Sequence, residues 1–221
     1  PAHNRGRALP KGLIRLLKKP PGFWDLPELP EIGSPLSKSG LIHDAQISIS
    51  KKVNTKKCFF GVNGASGLIQ SGIIAMANPG EYILMPRNVH ISVIKACALQ
   101  NIIPIFFDIE FSAVTGHYMP ITKKWFTNVF NNIDFDKTKI VGVILVSPYY
   151  QGYATDLEPL IKICHLHNLP VLVDEAHGSY FLFCENYNLP KSALRLNADL
   201  VVHSLHKSLN GLTQTAVIWH N

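Results

Sequence analysis

Long apolar runs are missing from this 221-residue sequence. None reaches the roughly 18 residues that a helix needs to cross a bilayer, and no signal-peptide pattern opens the chain. We therefore expect no membrane partner. The sequence starts at Pro1 without Met and stops at Asn221 directly after an apolar run, so we expect that both ends have been trimmed.

Cysteine is also scarce, with four residues and no C-x-x-C pair. Three of the four stand in apolar runs, as reduced core cysteines do. This usage disfavours a disulfide framework and favours a reducing, cytoplasmic location. Cys164 and His167 are spaced to share a helical face, but no other Cys or His cluster supplies the remaining ligands, so no metal site is predicted.

Charged residues make up only 16% of the sequence, whereas 47% of it is hydrophobic, which is enough for a sizeable core. The net charge is +6, but Lys and Arg are scattered apart from small groups at 15–19 and 51–57. This distribution disfavours nucleic acid as a partner. Anionic small ligands such as phosphates account for the mild basicity equally well.

An acidic pair and a histidine close the apolar run at residues 171–177, which read VLVDEAH. In a nucleotide-hydrolysing motor, such a run would accompany a phosphate loop of the form G-x-x-x-x-G-K-[ST]. The Gly-rich segment at 63–67 is not followed by Lys, so the sequence lacks that loop. Its absence argues against a motor and leaves Asp174 open to a different chemistry.

Seven short apolar runs are predicted to be β-strands buried on both faces, because they are continuous rather than alternating. The predicted strands are 58–62, 82–85, 102–107, 140–147, 170–174, 199–204 and 215–219, and the helices between them are 65–77, 89–99 (capped by Asn88), 122–131 and 157–167. This alternation predicts an α/β fold, a three-layer α/β/α sandwich around a mostly parallel seven-stranded sheet. Residues 1–55 are predicted to form an extended N-terminal arm with short helical pieces such as 13–18, before a main domain at 56–221.

Three polar motifs fall at the carboxyl ends of predicted strands, where open α/β sheets bind their ligands. Gly64, Ala65 and Ser66 precede or begin a helix, and a helix N-terminus suits a phosphate dianion. Asp174 closes the fifth strand, and Lys207 follows the sixth. A phosphate site, a carboxylate that keeps a pyridinium protonated and a lysine that forms a Schiff base are what pyridoxal 5'-phosphate (PLP) requires. The sequence therefore predicts one PLP pocket at this edge.

With these motifs, the sequence resembles the PLP-binding major domain of the Orn/Lys/Arg decarboxylase family, within the fold-type I, aspartate aminotransferase-like enzymes. The matching stretches are VNGASG, MPRNVHISV, VSPYYQGYATDL, LVDEAHGSYF and ADLVVHSLHKSLNGLTQTA, with weaker matches at PAHNRG and ELPEIGSPLSKSGLIHDAQ. Their order and spacing agree with the family over nearly the whole chain.

The resemblance implies roles for the matched positions. Lys207 would form the Schiff base with PLP, Asp174 would pair with the pyridine nitrogen, and His90 would stack on the ring; these three are the expected catalytic residues. The other expected cofactor-binding residues are Gly64, Ala65, Ser66, Ser204 and His206 around the phosphate, and Ala176 and His177 beside the ring.

The sequence also departs from the family pattern. The N-terminal motif is usually Pro-Gly-His-Lys, whereas here it is Pro1-Ala2-His3-Asn4. Ala65 stands where the phosphate cup usually has Thr or Ser, so one hydroxyl contact is lost. The family's smaller C-terminal domain is absent from these residues.

The activity that the resemblance implies is decarboxylation of arginine, lysine or ornithine to the corresponding amine, as in polyamine biosynthesis. Another fold-type I reaction, such as transamination or aldol cleavage, is an open alternative, and so is a non-catalytic PLP-binding or structural homologue. The intact Lys207 and Asp174 favour catalysis. Because fold-type I active sites are usually shared between subunits, a homodimer or higher homo-oligomer is expected by analogy.

Overall fold

The computed structural model describes residues 5–27, 29–34, 36–133, 137–184 and 186–221. The strands are β1 Lys57–Gly61, β2 Tyr82–Pro86, β3 Ile103–Phe107, β4 Phe111–Ser112, β5 His117–Tyr118, β6 Ile140–Val146, β7 Val171–Asp174, β8 Leu200–Ser204 and β9 Ala216–His220. The helices are α1 Lys11–Leu17, α2 Leu41–Val53, α3 Gly64–Met76, α4 Ile91–Gln100, α5 Lys123–Asn131, α6 Leu157–Leu166 and α7 Leu205–Ser208. In this part of the chain, no helix combines the length and the apolar character that crossing a membrane demands.

Seven of the strands form one sheet in the order β1-β9-β8-β7-β6-β2-β3, and β4 pairs with β5 in a separate hairpin. Strand β9 runs antiparallel to both of its neighbours, β1 and β8. The other pairs in the large sheet are parallel. Each strand of this sheet overlaps one of the seven predicted ranges, so the predicted mostly parallel sheet is confirmed.

Both faces of the sheet are buried, which explains why its strands are continuously apolar. Successive side chains in a strand point to opposite faces. In β6, Val143 and Leu145 join the core shared with α5 and α6, whereas Ile144 joins the core shared with α3 and α4. The helices therefore cover the sheet on both sides, and the predicted three-layer sandwich is confirmed.

The segment before β1 departs from its prediction. Helix α1 corresponds to the expected helical piece at 13–18, but the prediction of an extended arm was wrong for residues 41–53, which form the 13-residue helix α2. The buried residues of α2 are Gln46, Ser50 and Val53. Because two of these are polar, the inward face lacks the apolar periodicity that indicates a helix. The predicted motif at residues 1–4 lies outside the described residues.

The start of α4 also differs from the prediction. The helix begins at Ile91, and its cap is His90 rather than Asn88. The Nδ1 atom of His90 accepts a hydrogen bond from the Ser92 N–H at 3.2 Å, as the side-chain oxygen of a usual cap would. Asn88 therefore does not cap this helix.

The cysteines are free thiols, and Cys58, Cys97 and Cys164 are buried, as predicted. Burial raises the pKa of Cys164 to about 12. The nearby His167 stacks on Phe130, with 4.9 Å between the ring centroids. Among the described residues, no group of three or more His, Cys, Asp and Glu side chains is arranged to hold a metal ion. Cys164 thus lies in the core, and the His167 ring packs on Phe130.

Candidate active site

A cavity of about 520 Å³ opens at the edge of the sheet where the parallel strands end. It is lined by Asn63, Gly64, Ala65, Ser66, Ile69, Asn88, His90, Val146, Pro148, Tyr150, Asp174, Ala176, His177, Ser204, His206, Lys207 and Gln214. Every predicted catalytic and cofactor-binding residue is in this set. The topology thus brings together motifs that are far apart in the sequence, because each follows a strand that ends at this edge.

Asp174 lies at the end of β7, with only 6% of its surface exposed. Its Oδ1 atom accepts a hydrogen bond from the Ala176 N–H at 3.1 Å. Burial raises the pKa of Asp174, although the Ala176 N–H and the charge of Lys207 act in the opposite direction. Of the described residues that line the cavity, Asp174 alone carries a carboxylate. The ionised form of a buried carboxylate is stabilised when a cationic N–H donor binds beside it.

Lys207 lies in α7, and its Nζ atom is 3.1 Å from Nε2 of His177. Because an ammonium group can only donate, Nε2 is the acceptor in this bond. Burial lowers the pKa of His177, and the charge of Lys207 lowers it further. Tyr150 meets the His177 ring edge-on, with 5.6 Å between the centroids. The cavity therefore holds a primary amine that donates a hydrogen bond to a neutral imidazole.

The N-terminus of α3 forms one wall of the cavity. Gly64 has a φ of +67°, a conformation that favours glycine, and its N–H donates to the Gln214 carbonyl oxygen at 3.0 Å. The N–H groups in the first turn of a helix have no acceptor within the helix. Those of Ala65 and Ser66 are therefore available to an anion, which the positive end of the helix dipole also favours.

Ser204 and His206 stand at the junction of β8 and α7. The His206 Nδ1 atom lies 3.2 Å from the Ser204 hydroxyl and 3.3 Å from the Thr215 carbonyl oxygen. Since a carbonyl oxygen only accepts, Nδ1 carries a proton. These two contacts fix the orientation of the His206 ring at the cavity wall.

Besides Asn63, the cavity is lined by two amide side chains that the sequence interpretation did not assign to the site. Asn88 follows β2, and its Oδ1 atom is buried with no hydrogen-bond partner in the described structure. The strand-end rule that selected Asp174 would have selected it too. Gln214 precedes β9, which is antiparallel, so the amino end of this strand reaches the cavity. A rule based on carboxyl ends could not find it.

Glu175, the second acid of the pair, serves a buried network rather than the cavity. Its carboxylate accepts hydrogen bonds from the Ser192 hydroxyl at 2.5 Å and the Ala193 N–H at 2.8 Å, and it lies 2.6 Å from His203 Nε2. His203 Nδ1 accepts the Trp219 indole N–H at 2.9 Å, so Nε2 carries the proton that is donated to Glu175. The network joins β7, β8 and β9 directly beside Asp174.

Replacing Glu175 with alanine is expected to lower the free energy of unfolding by at least about 3 kcal/mol, because three buried donors lose their acceptor. Urea denaturation followed by circular dichroism measures the change. Glu175→Gln is the matched control, since it keeps the shape and one acceptor oxygen and should cost less. A loss below about 1 kcal/mol for the alanine variant, within the net value of one hydrogen bond, would contradict the network's importance.

Comparison with known proteins assigns the chain to a family. The family model described as the major domain of Orn/Lys/Arg decarboxylases matches residues 24–221. The chain belongs to the Orn/Lys/Arg decarboxylase family. It is 30% identical to an arginine decarboxylase of Bacillus cereus over 218 residues, which are 99% of this chain and 46% of that protein. It is 34% identical to an arginine decarboxylase of Halalkalibacterium halodurans over 179 residues, covering 81% of this chain and 35% of that protein.

Solved structures share the fold of this Orn/Lys/Arg decarboxylase family member. A lysine decarboxylase of Francisella novicida superposes with a TM-score of 0.72 at 23% identity, over 86% of this chain and 27% of that one. The constitutive lysine decarboxylase of E. coli superposes with a TM-score of 0.70, at the same identity and coverage. The chain thus spans less than half the length of these relatives, and the family resemblance drawn from its motifs is confirmed.

Proposed function

We propose that this chain is the PLP-binding part of an enzyme that decarboxylates a basic amino acid: arginine, lysine or ornithine. The observation that carries the proposal is one cavity that holds the buried carboxylate of Asp174, the amine of Lys207 and the N-terminus of α3. Membership of the Orn/Lys/Arg decarboxylase family supports both the cofactor and the reaction. Within the proposal, residues 56–221 bind the cofactor, and residues 1–55 are an N-terminal extension that includes α1 and α2.

The chemistry of the cavity suits each part of PLP. Its phosphate matches the backbone donors of Ala65 and Ser66 at the N-terminus of α3, with Gly64, Ser204 and His206 beside them. Its protonated ring nitrogen matches Asp174, whose burial is unfavourable until a cation pairs with it. Its aldehyde matches the amine of Lys207. A cavity of about 520 Å³ lies within the size range of small-molecule sites.

The remaining residues would orient the ring. His90 would lie against one face of it, held in place by the bonds from Ser92 to its Nδ1 atom. Ala176 and His177 would lie on the Asp174 side. Asn88 is available as a polar contact, since its buried Oδ1 atom has no partner within the described structure.

The bond from Lys207 to His177 positions the amine. The lowered pKa of His177 keeps its Nε2 atom unprotonated near neutral pH, so this atom accepts a hydrogen bond from Nζ at 3.1 Å and holds the amine at the cavity wall. When bound, PLP supplies the electron sink for the electron pair that remains when carbon dioxide leaves. Asp174 would support this chemistry, because its carboxylate favours a protonated ring nitrogen.

The test is a panel of substrates. The protein, saturated with PLP, is incubated separately with arginine, lysine and ornithine, and carbon dioxide and the amines agmatine, cadaverine and putrescine are measured. The proposal expects carbon dioxide and one amine in equal amounts from one of the three. Formation of a keto acid without carbon dioxide would instead indicate transamination, and PLP binding with no product would indicate a non-catalytic homologue.

A homodimer or larger homo-oligomer in the cytoplasm completes the proposal. The free cysteines support a reducing compartment. The oligomer is expected by analogy with fold-type I enzymes, whose sites usually combine two subunits. Light scattering of the purified protein measures its mass in solution, and a monomer at all concentrations would exclude the oligomer.

A further inference from the structure

A second cavity lies between α2, the first residues of β1 and the loop before α2. Its volume is about 360 Å³, and it shares no lining residue with the candidate active site. We call it the lysine cavity after Lys38, Lys51, Lys56 and Lys57, which line it. The active-site cavity adjoins the residues after β1, whereas the lysine cavity adjoins the start of that strand.

The lysine cavity concentrates positive charge. None of its four lysines forms an ion pair with a carboxylate of the described residues. The described residues that line it include no Asp or Glu. A concave surface lined by charges of one sign focuses the electrostatic potential and attracts counter-ions. The cavity therefore favours an anion.

A buried amide group in the wall points to a ligand rather than to a solvated charged surface. Gln46 is 5% exposed, lines the lysine cavity, and its Nε2 atom has no hydrogen-bond partner in the described structure. A buried donor without an acceptor destabilises the fold. Ser50, one turn further along α2, has its hydroxyl buried beside the Cys58 thiol, which is a weak partner. Both side chains can donate to a ligand oxygen.

The lining also has an apolar part. Ile47 on α2, with Cys58 and Phe59 on β1, line the same cavity, and Phe59 has 39% of its surface exposed. An inorganic ion would leave these groups uncovered. An aromatic or aliphatic body attached to the anionic group would bury them.

We propose that the lysine cavity binds a small organic anion. Its phosphate or carboxylate would lie near the lysines, with an oxygen accepting from Gln46 Nε2, and its apolar body would lie against Ile47 and Phe59. This site is separate from the proposed decarboxylase site, so either proposal can fail without the other.

The binding test uses the full chain loaded with PLP and then desalted, so that the active-site cavity is filled and no free PLP competes for the lysine cavity. Phenyl phosphate and benzoate are titrated by calorimetry, with phenol and inorganic phosphate as the halves of the proposed ligand. Saturable binding of at least one aromatic anion is expected, with an affinity at least about tenfold above that of either half. The tighter of the two anions distinguishes phosphate from carboxylate. Absence of saturable binding, or equal affinity for phenol, would overturn the proposal.

Substitutions locate the site. Lys51→Gln combined with Lys57→Gln is expected to raise the Kd of the bound aromatic anion by at least about tenfold. The control is Lys95→Gln on α4, which removes an exposed lysine outside the lysine cavity and should leave the Kd unchanged. An equal effect of the control, or no effect of the double substitution, would overturn the proposal.

Gln46→Met provides a readout that a purely structural glutamine would not give. Methionine matches glutamine in length, and the change removes the unpartnered donor. The variant is expected to melt at least about 2 °C higher than the wild type without ligand, while binding the aromatic anion more weakly. A lower melting temperature, or unchanged binding, would show that Gln46 serves the fold and would overturn its role as a ligand donor.

Discussion

Replacing Lys207 with alanine is expected to abolish covalent retention of PLP and to lower decarboxylation on the order of 10³-fold or more, because the amine that holds the cofactor is gone. Nζ of Lys207 is the lysine amine in the cavity, and it lies 3.1 Å from the His177 nitrogen that accepts its hydrogen bond. Borohydride reduction followed by peptide mass spectrometry measures the covalent attachment. In the wild type, the added mass should lie on the peptide that contains Lys207.

Two further variants test whether covalent PLP depends on the primary amine of Lys207 rather than on its positive charge or on a lysine elsewhere. Lys207→Arg keeps a positive charge but provides no primary amine, so it should lose covalent PLP as completely as the alanine variant. Lys124→Ala, outside the lining of the cavity, should keep it. Covalent PLP in the Lys207→Arg protein, or its attachment to another lysine in the wild type, would remove Lys207 from the proposed role.

Asp174→Asn is expected to lower turnover on the order of 10²–10³-fold, because a neutral amide no longer favours a protonated ring nitrogen. The substitution conserves the size of the side chain, so the shape of the cavity should persist. Asp156→Asn, an exposed change at the start of α6, is the matched control and should leave turnover unchanged. Steady-state kinetics with saturating PLP distinguishes weaker cofactor binding from a slower reaction. Full turnover in the Asp174 variant would exclude the proposed pairing.

The same substitution should have the opposite effect on stability when PLP is absent. Burial raises the pKa of Asp174 above its ordinary 3.8, so the unfolded state gives up the proton more readily than the folded state. Stability that depends on this group is therefore present at low pH and is lost as the pH rises from 3.8 through the raised pKa. The PLP-free variant should melt above the wild type near pH 7, with a difference that shrinks toward about pH 4. A difference independent of pH would contradict this account.

The strands and the main site residues could be predicted because they follow simple physical rules. A strand buried on both faces must be apolar throughout, as β6 is, and polar residues at the ends of parallel strands meet at one edge, as Asp174 and Lys207 do. Helix α2 was not predicted because its buried face includes Gln46 and Ser50, which are polar. Gln214 was not predicted as a cavity residue because it precedes the antiparallel strand β9 rather than following a parallel one.

The interpretation of the acidic pair illustrates a further limit. Asp174 and Glu175 are adjacent in sequence, and nothing in the pattern assigns one to the cavity and the other to a buried network. That assignment depends on His203 and Trp219, which belong to later strands and meet Glu175 only in the folded sheet. Local patterns identify candidates for chemistry, whereas long-range pairing decides which candidate faces the ligand.

Strand β9 has a consequence for the order in which the molecule can be assembled. The edge strand β1 reaches the sheet only through β9, which lies between β1 and β8. The turn after β1 and the lysine after β8 therefore lie on two parts of the sheet that β9 joins. On the ribosome, a nascent chain ending before residue 216 would leave β8 without its neighbour and β1 without a strand to pair with.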